Sequence, residues 1–173
     1  MNTKKYFLGI VILSILIFFI FHFSQKLSLI SSDKSGGSSS ISILNNLTSK
    51  DTVTIDNIEI KVDIADTEAL QTKGLSGRPS LDEYEGMLFV FPDDQIRYFW
   101  MKDMLISLDI IWIDKEGKII AIEKNVPKPE IGTPDYRLPI YTSSGSVRYV
   151  LEVNSGFSER HNISTNDTVQ INQ

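Results

Sequence analysis

Residues 86–101 read GMLFVFPDDQIRYFWM, and this stretch decides the fold class. Its two halves, 86–91 and 96–101, are apolar on both faces, aromatic-rich, and bounded by Gly, Pro and Asp. They are too short for a buried helix, and aromatic and β-branched side chains suit a pleated surface. The pattern therefore predicts two central strands of a β-sandwich. Upstream, Thr52–Ile55 and residues 58–64 alternate apolar and polar side chains around Asp56 and Asn57, which predicts a hairpin. Asp66, Thr67 and Glu68 supply cap residues for a short helix over Glu68–Lys73, stopped at Gly74. Downstream, residues 107–113 continue the strand pattern, and 114–117 turn the chain into a second hairpin arm at 118–124. Residues 126–145 carry Pro127, Pro129, Pro134 and Pro139, so they form a loop and not a central strand. A loop of that length in a small domain is often functional. A strand at 146–154, a helical turn at 156–161 and a closing strand at 168–172 complete the reading. The fold class is mainly β, a β-sandwich or jelly-roll-like domain with one or two short helices.

The chain outside this domain has a different character. Residues 6–23 read YFLGIVILSILIFFIFHF, 18 residues without a charge, enough for a helix of roughly 27 Å. The run is longer than a signal-peptide core, and no alanine precedes Ala65 to make a small-residue cleavage site. It reads as a single uncleaved transmembrane signal-anchor. Lys4 and Lys5 keep residues 1–5 in the cytoplasm and send the remainder across the membrane. Residues 24–50, with SSDKSGGSSS at their centre, form a flexible linker reaching roughly 25–30 Å, and residues 51–173 form the extracytoplasmic domain. That domain carries 12 basic and 21 acidic side chains, a net −9, which disfavours nucleic acid as a partner. The chain has no cysteine, which excludes disulfides, thiolate catalysis, iron–sulfur clusters and a cysteine-linked lipid. The sequons at Asn46, Asn162 and Asn166 matter only in a host that glycosylates.

Two carboxylates stand out because strands disfavour them. Asp109 shares a strand face with Ile111 and Ile113, and Glu152 shares one with Val150. Burying either without a partner costs several kcal/mol, as an order of magnitude, so each needs a counter-charge or a solvated cleft. Arg78, Arg97, Lys102 and Arg148 are the candidate counter-charges. One outcome is a set of structural ion pairs that set strand register. The other is a polar ligand pocket lined by Arg78, Lys102, Asp109 and Glu152, with Tyr136 and Tyr141 of the proline-rich loop as aromatic contacts. As a catalytic pair, Asp109 and Glu152 would act as acid and base of the glycosidase type, which requires them to flank one bond. Trp100 and Trp112 each share a face with apolar neighbours and read as core. His161 sits in SERHN with no second histidine nearby and reads as a surface or capping residue, so no metal site or cofactor is expected.

Five blocks in order, GLSGRPSL from Gly74, EGMLFVF from Glu85, FWMKDM from Phe99, LDIIWID from Leu108 and YVLEVNSGF from Tyr149, resemble the DUF192 family. That family commonly has Asn and Thr after the WMK triplet, where this chain has Asp103 and Met104, and often has cysteines near the proline-rich loop. The resemblance implies a β-sandwich, jelly-roll-like fold and brings no established activity. The expected function is a membrane-anchored, non-enzymatic binding or accessory module for a small molecule or saccharide. The alternatives are a carboxylate-dependent enzyme on envelope polysaccharide and a structural partner of another envelope protein.

Overall fold

The computed structural model describes residues 51–172. The anchor expected at 6–23 and the linker at 24–50 lie outside them. The described chain forms β1 (Thr52–Ile55), β2 (Ile58–Ala65), α1 (Glu68–Lys73), β3 (Glu85–Gln95), β4 (Tyr98–Phe99), β5 (Leu108–Ile113), β6 (Ile119–Val126), β7 (Tyr141–Thr142), β8 (Val147–Asn154), α2 (Phe157–Arg160) and β9 (Val169–Asn172). The first helix has the bounds its caps predict. Thr67 accepts from the Leu70 N–H, and Gly74 ends the helix at φ 48°, a conformation that side chains resist.

Seven strands form one sheet in the order β6-β5-β8-β3-β2-β1-β9. Every pairing is antiparallel except β2 with β3, whose parallel contact requires the long crossover through α1. The expected pair of facing sheets is instead a single curled one. Its two ends meet where Lys118 bridges Thr168, and the Val169 N–H donates to the Gly117 carbonyl at 2.7 Å. Closing a sheet on itself buries its concave face without a second layer and leaves fewer open edges.

Strand alternation then sorts the apolar side chains into two cores. Val53, Ile60, Leu88, Ile111 and Leu151 fill the inside of the curl, with Phe157 of α2 packed among them. Phe89, Phe91, Ile110, Trp112 and Val150 face outward, where Leu75 of the crossover and Met101 and Met104 cover them. All six residues of β5 are buried, because both of its faces are covered.

One expected central strand is not there. Of residues 96–101 only Tyr98–Phe99 is a strand, and it pairs with β7 in a separate two-stranded ribbon. Phe99 and Met101 turn toward the outer core, while Ile96, Tyr98 and Trp100 are 48%, 68% and 44% exposed. A run apolar on both faces suits a central strand or a surface flap with one open face, and periodicity alone does not separate them.

Candidate functional site

Glu152 reaches the outer face because of register. It sits between Met87 on β3 and Ile110 on β5, so its side chain points beneath the crossover, away from the interior of the curl. The residue is only 5% exposed, and its Oε2 is buried with no hydrogen-bond partner. Burial alone pushes this carboxyl from the ordinary 4.5 up to about 8.

Above it opens a cleft of about 520 Å³, between α1 with its following turn and the β4 segment. Phe89 and Phe91 line it, and Trp100, Tyr98 and Met104 line the side toward the ribbon. The walls are tied in place. Gln71 of α1 donates to the carbonyls of Ala65 and Val90, at 3.2 and 2.9 Å. The Ser76 hydroxyl donates to the Lys102 carbonyl at 2.8 Å, and the Gly77 N–H to that of Asp103 at 2.9 Å. Phe99 stacks edge-on against Phe89 and Trp112, which anchors the ribbon to the core.

Two cations mark the mouth. The Arg97 guanidinium lies 4.0 Å from the Phe91 ring centre and is paired with Asp93, while its Nε is buried without an acceptor. Phe91 stands four residues along β3 from Met87, so Arg97 and Glu152 mark opposite ends of a floor about 13 Å long. The Lys102 ammonium lies 5.4 Å from the Trp100 ring centre and is paired with Asp135 of the proline-rich loop, whose carboxylate raises its pKa.

Of the residues expected to line or neutralise a ligand pocket, Lys102, Glu152 and the candidate counter-charge Arg97 line this cleft together. The others lie elsewhere. Arg78 is paired with Asp63 at 2.6 Å. Tyr136 is exposed on the proline-rich loop, and Tyr141 turns toward the outer core, where burial and then Glu123 raise its pKa. Asp109 is fully buried and takes none of the expected counter-charges. Its Oδ1 accepts from the N–H groups of Asn125 at 2.8 Å and Gly156 at 2.9 Å, and its Oδ2 from that of Ser158 at 2.9 Å. It holds β6 and the start of α2 against β5. Asp109 pairs in register with Val153, so it and Glu152 point to opposite faces of the sheet and cannot flank one glycosidic bond.

Trp100 lines the cleft instead of the core, whereas Trp112 is buried as expected. Phe89, Phe91 and Phe99 are cleft residues that periodicity does not distinguish from core. Their signal was present as the paired aromatic runs of 86–101, but which face stays open depends on what packs above. His161 caps the end of α2 and packs on Phe157 and Tyr84, on the other side of the sheet from the cleft.

The DUF192 family model, described as Uncharacterized ACR, matches residues 51–171. Two solved structures are similar. A protein from Sinorhizobium meliloti, described as a proposed transcription regulator, is 26% identical with a TM-score of 0.63, covering 71% of this chain and 94% of its own. A protein of unknown function from Novosphingobium aromaticivorans is 30% identical with a TM-score of 0.61, covering 69% of this chain and 82% of its own. No curated protein matches the chain.

Proposed function

The chain belongs to the DUF192 family, whose activity is uncharacterised, and from that premise we propose that its domain is a non-catalytic module binding a small molecule that has an apolar body and a polar group directed at Glu152. One observation carries the reading: a buried carboxyl oxygen without a partner at an open, aromatic-lined cleft. Leaving such a group unpaired costs roughly 1–3 kcal/mol, and a ligand that supplies the missing hydrogen bond recovers it. The N-terminal segment tethers the module to the outer face of a cytoplasmic membrane, a reading supported by the uncharged run at 6–23 and the lysines before it. The net −9 of the domain argues against nucleic acid as a ligand, so the transcription-regulator description of the Sinorhizobium meliloti protein is not carried over.

A second reading, docking to another envelope protein, is favoured by the proline-rich loop, which exposes Ile131, Tyr136 and Ile140.

The test is a titration of the full chain in lipid nanodiscs with a panel of aryl and alkyl compounds bearing neutral, anionic and cationic groups, followed by tryptophan fluorescence. Trp100 lines the cleft and reports occupancy. Binding that weakens at least tenfold in Glu152→Leu, which removes the hydrogen-bonding group, supports the module. A silent panel, or equal binding by the variant, rejects the cleft as its site and moves the search to the loop.

A further inference from the structure

The chemistry of the occupant follows from what surrounds Glu152, taking the cleft as a ligand site. A neutral ligand that only exchanged hydrogen bonds would be served equally well by an amide at this position. What a carboxyl adds is a negative charge, taken on when a cation arrives, in surroundings of low dielectric where the pairing is strong. The rings supply the second half of the recognition, since an aromatic face attracts cations. The protein already uses two of its rings this way, with Arg97 on Phe91 and Lys102 on Trp100. Those two cations are themselves neutralised by Asp93 and Asp135, so the mouth is not an anion trap. The domain, with 12 basic and 21 acidic side chains, draws cations toward it.

We propose that the cleft binds an organic ammonium ion with an aromatic or apolar body, its ammonium on the Glu152 carboxylate and its body against Phe89 and Trp100. The carboxyl proton leaves to solvent as the ion pair forms, so occupancy is linked to pH. The other titratable groups that face the cleft are Glu68 and Lys73 from the helix side, and Arg97, Tyr98 and Lys102 from the ribbon side. The flanking strands bring only Met87 and Ile110 beside Glu152. Burial holds the proton on this carboxyl up to about pH 8, which places the linkage in the range where the pairing can be followed.

The experiment titrates the full chain in nanodiscs with 2-phenylethylamine, 2-phenylethanol and 3-phenylpropanoate at pH 6, 7 and 8, by tryptophan fluorescence and calorimetry. The amine is expected to bind at least about tenfold more tightly than the alcohol at pH 8, and to lose up to about tenfold per pH unit on acidification. Its binding heat should vary with buffer as a proton is released. Glu152→Gln should bind amine and alcohol alike, and the pH series on the unaltered chain stands independently of that variant. Glu152-dependent binding of the alcohol or the carboxylate as tight as that of the amine overturns the inference while the cleft remains a ligand site. Binding of none of the three overturns it too, and the wider panel above then decides the cleft itself.

Discussion

Asp109 and Glu152 are enclosed carboxylates on neighbouring strands, and one residue of register separates their roles. Asp109 meets three backbone N–H groups and needs no counter-charge, because aligned amides solvate an anion as water would. Glu152 meets apolar side chains, and its pKa rises to about 8. Between about pH 4.5 and 8 the folded chain therefore holds a proton that the unfolded chain has released. The stability this gives is complete below about 4.5 and is lost as pH rises through about 8. Thermal unfolding should show stability falling by up to about 1.4 kcal/mol per pH unit across that window from this group. Glu152→Gln should remove the slope and melt later than the unaltered chain at pH 8; an unchanged slope would mean that Glu152 ionises freely. Asp109→Asn should do the opposite, melting early at neutral pH, since an amide turned toward three donors leaves at least one unmet at about 1–3 kcal/mol.

Among the elements, the seam between β6 and β9 and the β4–β7 ribbon depend most on tertiary context. The seam runs through Gly117, at φ 82°, where a Cβ would stand 2.7 Å from the Val169 carbonyl oxygen. Gly117→Ala therefore combines backbone strain with a clash against main chain, and should cost about 2–4 kcal/mol in denaturant unfolding. A loss under about 0.5 kcal/mol would show that the sheet ends are not held together there. The ribbon explains why residues 96–101 mislead. Phe99 and Met101 are core residues, and the intervening Tyr98 and Trp100 are apolar because they wall a cleft. Aromatics on both faces signal burial on both faces only when a second layer is present. The helix over Glu68–Lys73 was legible to the residue, because its caps act locally.

For the whole molecule, the proposed placement of the acidic domain and the uncharged N-terminal run in different surroundings is testable as topology. Protease added to right-side-out vesicles should cut within residues 24–50 and release the domain, while inside-out vesicles protect it. Protection in the first and cleavage in the second would reverse the orientation; release of the chain by a salt wash would remove the anchor altogether. The sequence by itself determined the strands other than the one expected at 96–101, the hairpin turns, the cap-bounded helix and the mainly β class, because alternation and turn chemistry act over a few residues. It also marked Asp109 and Glu152 as carboxylates in need of an explanation. Only the tertiary structure decided that one sheet curls to meet itself, that the two carboxylates face apart, and that Glu152 lies open to a cleft. Register between strands distant in sequence sets all three, and the partner of a buried charge is whatever that register brings beside it, which for Asp109 is backbone amide and for Glu152 is aromatic and aliphatic surface.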